Sequence, residues 1–248
     1  MYSRINSLLG RIFWGIANKI FSHRTIEMMK FDIQRIKTRM NKRNNRKIVL
    51  MTKKLHLGCG KKHVNGWLNI DLAGSDFDVD LAHGQLPWPK DTFEIVVSQH
   101  LIEHLDLKTE LLPLLCEVHR VLIPDGEIWL SCPDIEKICR SYLEHNMNDL
   151  VEDRVRRFPK FSLDGVPSSH MINLIFCQGI QHKNLFDYKL LKWMLTRSGF
   201  KNVEKVKEAD LLKRCPAFPP RNDDLQSIYV RAFADKGITE SIQNDKKL

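Results

Sequence analysis

The sequence predicts an α/β fold of the doubly wound, Rossmann-like type, preceded by a helical extension. Short apolar runs alternate with helical patterns through most of the chain, as expected of a mostly parallel sheet. The first run, Leu55–Leu57, leads directly into Gly58, Cys59 and Gly60, and a second run ends on Asp71. A glycine turn after one strand and a carboxylate at the tip of the next form a minimal nucleoside-binding pair.

We expect three regions along the chain: a basic amphipathic helical extension with its linker over residues 1–47, the α/β domain over 48–235 and a polar tail over 236–248. Residues 1–54 carry 14 Lys and Arg residues against two acidic ones, a net charge of +12, whereas the remainder carries 25 basic and 28 acidic residues, a net charge of −3. Enzymes that act on nucleic acids usually line their cleft with positive charge. The near-neutral body therefore argues against an RNA or DNA substrate.

The extension reads as two helices, over residues 3–21 and 24–43, because apolar residues recur three and four positions apart in both. The first helix has three interpretations: packing on the body or a second copy, lying in the interface of an anionic membrane, or serving as an organellar transit peptide. The second either docks as a hairpin with the first or pairs two chains through a short coiled-coil seam. The sequence leaves these alternatives, and the oligomeric state, open.

The first two crossovers of the body are short. A parallel crossover normally takes a dozen residues or more, and neither residues 61–67 nor residues 72–78 provide them. We therefore expect abbreviated helices in this half of the sheet. The later strands are predicted at Asp78–Leu81, Phe93–Ser98, Glu127–Cys132, Val203–Val206 and Ile228–Phe233.

Three helices have clear patterns, over Leu111–Leu122, Ile135–Leu143 and Tyr188–Ser198. Asp134 is the expected N-cap of the second, and Gly199 is the expected stop of the third. Residues 144–185 are predicted to form an insertion over the carboxyl edge of the sheet, where a substrate lid would lie. We expect residues 211–227 to form a long loop.

The cysteines and histidines give no sign of a metal centre. No Cys-x-x-Cys pair or His-Glu-x-x-His motif occurs, so we predict no metal site and a reducing compartment. The six cysteines stand at positions 59, 116, 132, 139, 177 and 215.

A longer set of segments carries a family resemblance. The segments are Leu55–Gly60, Gly66–Asp71, Asp80–Leu81 with Leu86–Pro89, Ser98–His104, Glu117–Leu122 with Pro124–Gly126, His182, and Gly199–Phe200. Over residues 53–235 the chain resembles the class I S-adenosylmethionine-dependent methyltransferases, and most of all a bacterial methyltransferase type 11-like branch associated with surface-polysaccharide biosynthesis. The resemblance implies a seven-stranded sheet of order 3-2-1-4-5-7-6, with the seventh strand antiparallel, and S-adenosyl-L-methionine as cofactor.

The expected cofactor contacts lie at the carboxyl ends of the strands. Asp71 is placed to accept the ribose hydroxyls, and the resemblance implies that Asp80 and Leu81 contact the adenine. For Asp80 the alternative is a carboxylate that caps a turn. The remaining expected contacts are Leu57, Gly58, Cys59, Gly60, Leu72, Ser98, Gln99 and His100.

Methyl transfer from a sulfonium requires mainly that the acceptor be held in line with the methyl group, and a base is needed only for a hydroxyl acceptor. The candidate bases are His100, His104, His170 and His182. We expect His104 to be structural, because it begins an apolar helical segment. His100 lies nearest the expected methyl group, and nothing structural explains His182, so we predict one of these two as the base.

The favoured interpretation is a cytoplasmic enzyme, peripheral on the inner membrane face, that O-methylates a sugar or glycolipid intermediate. A second interpretation is an RNA or small-molecule methyltransferase. A third, from a different class, is a membrane-associated scaffold with a degenerate nucleoside pocket. The intact set of Gly58, Gly60, Asp71 and Asp80 favours an enzyme over the scaffold.

Overall fold

The structure, a computed structural model, describes residues 14–17, 19–40, 52–178 and 181–237. The chain divides into two units, residues 1–46 and 47–248. The first contains helical residues at 14–17 and 19–20 and helix α1, His23–Met40. Both predicted helices of the extension are thus seen in part. The rest of them, the linker at residues 41–47 and residues 238–248 of the tail lie outside the described residues. In the described part of the chain, no helix combines the length and apolar character needed to cross a membrane.

Seven strands form one sheet in the described part of the second unit. They are β1 Lys54–Leu57, β2 Leu68–Asp71, β3 Phe77–Asp78, β4 Phe93–Gln99, β5 Leu122–Pro133, β6 Phe200–Val206 and β7 Ser227–Ala234. Their order is β3-β2-β1-β4-β5-β7-β6. Strand β7 is antiparallel to both neighbours, and all the other pairs are parallel. The predicted doubly wound, Rossmann-like fold and its strand order are confirmed.

Six α-helices of this unit lie within the described residues. They are α2 Leu112–Val121, α3 Ile135–His145, α4 Asn148–Arg157, α5 Met171–Cys177, α6 Tyr188–Arg197 and α7 Glu208–Arg214. Helices α2, α3 and α6 confirm the three predicted ones. The Asp134 carboxylate accepts a hydrogen bond from the Glu136 N–H at 3.1 Å, as expected of an N-cap.

Parallel pairing aligns the carboxyl ends of the central strands. Leu57 at the end of β1 pairs with Ile70 of β2 and with Ser98 of β4. The glycine turn, Asp71 and the tip of β4 therefore meet at one edge of the sheet, where ligands bind in open α/β folds.

The connection from β1 to β2 is even shorter than the abbreviated helix that we predicted: it contains only turns, and the Asn69 side chain satisfies part of its backbone. The Asn69 amide oxygen accepts from the Val64 N–H at 2.8 Å, and its nitrogen donates to the carbonyls of Val64 and Trp67, both at 3.2 Å. Asn69 also contacts His56 Nδ1 at 3.1 Å. Burial of that imidazole lowers the pKa of His56 to about 4, so the ring is neutral.

Helix α7 covers the sheet face that an abbreviated crossover would leave bare. Leu211 and Phe218 pack there against Trp67, Trp129 and strand β4. The Phe218 ring lies edge-on to Trp67 at 4.8 Å between centroids. The prediction of one long loop over residues 211–227 is wrong at its start, because α7 extends to Arg214. Burial of Leu211 stabilises this two-turn helix, and so does the Asp210 carboxylate, which accepts from the Lys207 N–H at 2.9 Å.

Two other predicted boundaries need correction. The third strand is Phe77–Asp78 rather than Asp78–Leu81, so Asp80 and Leu81 lie beyond its end. The fifth strand, predicted at Glu127–Cys132, is the longer β5, which includes Pro124–Gly126 and in which the register shifts between the Phe93 and Ile95 pairings. The extra residues are accommodated as an irregularity of the strand.

The insertion at residues 144–185 packs around a small apolar core that it shares with α3. The buried members are Ile138, Met147, Leu150, Met171 and Ile175. The segment therefore folds as helices α4 and α5, and we call it the cap; its position as a substrate lid stays a prediction.

We predict that Leu211→Ala lowers the free energy of unfolding of the chain by about 2–5 kcal/mol, because it opens a cavity under α7. Leu211 is 1% exposed. Urea denaturation followed by far-UV circular dichroism measures the change.

The matched control is Leu143→Ala on α3, where the side chain is 80% exposed, and it should change the stability by less than about 0.5 kcal/mol. Equal effects of the two substitutions would contradict the covering role of α7.

Candidate active site

The glycine turn after β1 is built from two glycines with different roles. Gly58 and Gly60 both have positive φ, +67° and +54°, a conformation that disfavours other residues. A Cβ on Gly58 would lie 2.8 Å from the Leu101 Cβ, whereas a Cβ on Gly60 would meet nothing within 4 Å. Gly58 therefore lets the chain after β4 pack against the turn, and Gly60 leaves the open space that a bound ligand needs.

Asp71 holds the glycine turn in place. Its Oδ2 accepts a hydrogen bond from the Gly60 N–H at 2.7 Å, and its Oδ1 accepts from the Leu72 N–H at 2.5 Å. Each carboxylate oxygen has a second lone pair, so Asp71 can still accept a ribose hydroxyl. The contact of Asp71 with the ribose stays a prediction. Its hydrogen bonds to the glycine turn give Asp71 a structural role as well.

Cys59 lies between the two glycines but is not a reactive group. Its side chain is buried, and that burial, reinforced by the nearby carboxylates of Asp71 and Asp76, raises the pKa of the thiol to about 12. A neutral thiol is neither a nucleophile nor a metal ligand at pH 7.

Asp80 and Leu81 are both buried just beyond β3. The Asp80 side chain makes no capping hydrogen bond to the short 3-10 helix Leu81–His83 that follows it. Asp80 therefore does not cap this helix with its side chain, and the adenine contact stays a prediction.

The tip of β4 presents polar atoms without partners. Ser98 Oγ and Gln99 Nε2 are buried and make no hydrogen bond within the described part of the chain. Buried polar groups in native proteins are almost always paired. The open space at Gly60, the Asp71 carboxylate and these two atoms together fit a nucleoside cofactor at this edge.

His100 is held between two buried carboxylates. Its Nε2 lies 2.9 Å from Asp223 Oδ2 and its Nδ1 lies 3.1 Å from Glu103 Oε1. Burial disfavours the charged ring, but the hydrogen bonds to Asp223 and Glu103 outweigh it and raise the pKa of His100. Its backbone has φ +56°, which is uncommon for a residue other than glycine.

This geometry gives His100 a poor position for accepting a proton, since both ring nitrogens already face carboxylates. The role of His100 as a base therefore stays a prediction.

Asp223, which sequence reasoning missed, has further partners besides His100. It accepts hydrogen bonds from the Tyr229 hydroxyl at 2.6 Å and from the Arg221 Nε at 3.1 Å. Burial opposes its charge, yet the bond to His100 and these neighbours hold the pKa of Asp223 well below its usual range.

His182 lies on the other side of Glu103. Its side chain is 2% exposed, its Nε2 is 4.0 Å from Glu103 Oε1, and its ring centroid is 4.8 Å from that of His104. Neither ring nitrogen makes a hydrogen bond of good geometry with a described residue. Burial lowers the pKa of His182 against the attraction of Glu103 and the Ile175 carbonyl, so the ring is neutral.

Backbone contacts fix the position of His182. The N–H groups of Lys183 and Asn184 both donate to the Glu103 carbonyl, at 2.7 and 3.3 Å. His104, predicted to be structural, lies with its Nδ1 3.3 Å from the Gln181 carbonyl. His170 lies in the cap, with its Nδ1 3.4 Å from the Asn173 amide nitrogen, and is not part of this group.

We predict that Gly60→Ala weakens the binding of S-adenosylhomocysteine by at least about 10-fold, because a methyl group fills the space left for the ligand. Isothermal titration calorimetry measures the affinity. Gly165→Ala is the control, since Gly165 has φ +82°, open space around it and a position in the cap. An alanine at either position has a positive φ, so both variants carry backbone strain, but Gly165→Ala should leave the affinity unchanged.

Gly58→Ala should mainly reduce stability, since its Cβ would overlap Leu101. A Gly60→Ala chain that binds as tightly as the Gly165→Ala chain would contradict the assignment of the open space to a ligand.

The central part of this site matches a known protein family. Residues 55–130, which run from β1 into β5, match the family model described as a methyltransferase domain. No curated protein sequence matches the chain.

Solved structures of methyltransferases also resemble it at low sequence identity. One is an S-adenosylmethionine-dependent methyltransferase from Archaeoglobus fulgidus, with 15% identity, TM-score 0.41 and coverage of 86% of this chain and all of that one. Another, a possible histamine N-methyltransferase from Thermotoga maritima, has 12% identity, TM-score 0.44 and coverage of 90% and 100%. Phosphoethanolamine N-methyltransferase 2 from Haemonchus contortus, solved with S-adenosyl-L-methionine, has 10% identity, TM-score 0.41 and coverage of 81% and 52%.

These structures are too distant to inform on the acceptor. The family match falls on the strands and turns that form the cofactor side of the site, from Leu55 through the tip of β4. The strand order is the one that the resemblance implies. The match over residues 55–130 and this strand order support an S-adenosylmethionine-dependent methyltransferase activity carried on a class I fold.

Proposed function

We propose that the chain transfers the methyl group to a hydroxyl of a sugar or glycolipid intermediate. The observation that carries the proposal is His182, a buried and neutral histidine beside a buried carboxylate, just past the tip of β4. An unprotonated amine acceptor is already a nucleophile and needs no general base. A hydroxyl acceptor must lose its proton to become a good nucleophile, so it needs a nearby base such as His182.

The bound cofactor supplies a methyl group on a sulfonium, which leaves as a neutral thioether. The chain must hold the acceptor oxygen in line, about 3 Å from the methyl carbon. The cap at residues 144–185 orients the acceptor, and His182 activates the hydroxyl. His100, fixed between Asp223 and Glu103, positions the Glu103 carboxylate beside His182.

Transfer from labelled S-adenosylmethionine to a panel of lipid-linked sugars, free sugars, RNA and small amines tests this proposal. We expect label in a sugar hydroxyl. His182→Gln should lower turnover by roughly 10²–10⁴-fold while the affinity for S-adenosylhomocysteine stays unchanged.

The matched control is His23→Gln, an exposed histidine of the first unit, which should keep full turnover. Labelling of RNA or of an amine alone would overturn the proposal, as would full activity of the His182→Gln chain.

We also propose that residues 1–47 bind an anionic membrane surface, which would bring the enzyme to a glycolipid. The net charge of +12 over residues 1–54 supports this. So do the exposed apolar side chains of Ile20, Phe21, Phe31 and Met40 in the described part of the first unit. Exposed apolar and basic side chains on one helical segment are typical of interfacial helices.

The full-length chain should float with vesicles containing phosphatidylserine at low salt and much less at high salt. Each basic residue near the surface contributes about 1 kcal/mol. Reversing Lys19, Arg24 and Lys37 to Glu should therefore weaken binding by about 10²-fold or more.

Reversing Lys189, Lys192 and Lys213, which are exposed on the second unit, changes the net charge equally and is the control. Equal losses from both sets, or no flotation of the unaltered chain at low salt, would refute membrane binding through the extension.

A further inference from the structure

Three side chains with metal-ligand chemistry converge next to the tip of β4. Ligand atoms of Glu103, His104 and His182 all lie within 4.8 Å of one another. Glu103 and His104 belong to the short 3-10 helix Ile102–His104, and His182 reaches them from a distant part of the chain. Sequence analysis predicts no metal site, because the ligands are not close in sequence.

Several buried atoms of this group lack the partners that burial demands. The Glu103 side chain is 1% exposed; its Oε1 faces His100 Nδ1 at 3.1 Å, whereas its Oε2 makes no hydrogen bond with a described residue. The same holds for both nitrogens of His182. A buried carboxylate oxygen and a buried imidazole without partners are costly. Such groups are expected where a ligand supplies the missing interaction.

The surroundings orient these groups as an outer shell orients metal ligands. His104 Nδ1 lies 3.3 Å from the Gln181 carbonyl, so an N–H there donates to it and the Nε2 lone pair is free to bind an ion. His100 contacts Glu103 Oε1 at 3.1 Å and is itself fixed by Asp223. Histidine ligands and ligating carboxylates are usually held by such contacts.

We infer that Glu103, His104 and His182 bind a divalent transition-metal ion of the Zn²⁺ or Mn²⁺ type. Ligand distances of about 2.0–2.2 Å require ligand atoms about 3.0–3.5 Å apart, so small side-chain rotations close the group around the ion. Two imidazoles select against Mg²⁺ and Ca²⁺, which prefer oxygen ligands. Three protein ligands leave a position open, as in catalytic rather than structural sites.

The role of the ion rests on the proposed function. Held at the open position, the acceptor hydroxyl becomes more acidic and gives its proton to water. The oxygen–methyl bond then forms as the carbon–sulfur bond breaks and the neutral thioether leaves. The ion would thus replace direct proton transfer to His182.

The test uses the full-length chain, produced without a polyhistidine tag and freed of metal by dialysis against a chelator. Calorimetric titration with Zn²⁺ should show one equivalent bound, and titration with Mg²⁺ should show much weaker binding. Glu103→Gln and His182→Gln should each weaken Zn²⁺ binding by about 10²-fold. His23→Gln, the matched control, should bind like the unaltered chain.

The affinity for S-adenosylhomocysteine verifies that each variant is folded. If Glu103→Gln or His182→Gln does not fold, His104→Gln replaces it as a ligand variant. Absence of Zn²⁺ binding, or equal binding by all variants, would overturn the metal site. The acceptor panel decides the proposed function separately. Stoichiometric, variant-sensitive Zn²⁺ binding without methylation of any hydroxyl would support the site and overturn that function.

Discussion

The short connection between β1 and β2 is the constraint on which the rest of the site depends. Residues 58–67 are too few for a crossover helix, so the adjacent face of the sheet must be covered by another segment. The chain between β6 and β7 does this by burying Leu211 and Phe218. In doing so it carries Asp223 to the carboxyl edge, within 2.9 Å of His100.

Covering the sheet and building the site are therefore linked. The same segment that replaces a missing helix supplies the carboxylate that charges and orients His100. That imidazole in turn faces Glu103. Burying two carboxylates costs several kcal/mol each unless they are paired, and a protonated histidine between them offsets part of that cost. Oε2 of Glu103, which has no hydrogen-bond partner in the described part of the chain, then points to a further ligand rather than to a structural role.

Local patterns in the sequence predicted the parts of the molecule that depend on neighbours in the chain. The β-branched run of β4, the glycine turn and the strand-tip Asp71 are all of this kind, and each lies where it was expected. The family resemblance supplied the strand order. It could not show that Gly58 is a packing position against Leu101, because that contact depends on the chain after β4.

The contacts that sequence reasoning missed join distant segments. His100 meets Asp223 across 123 positions, and no periodicity or motif relates the two. The group of Glu103, His104 and His182 likewise forms only when the segment after the cap returns to the sheet. Helix α7 was missed for a different reason, since two turns are too short for an amphipathic pattern to stand out.

The way His182 is held makes its chemistry testable. The tether between the two segments is formed by main-chain groups, the N–H of Lys183 and Asn184 and the carbonyl of Glu103. Substituting the side chains at positions 103 or 182 removes ligand or base atoms but leaves this tether in place. A loss of metal binding or turnover in such variants therefore reports on the side chains themselves. A collapse of the segment would instead affect the cap and the stability of the chain.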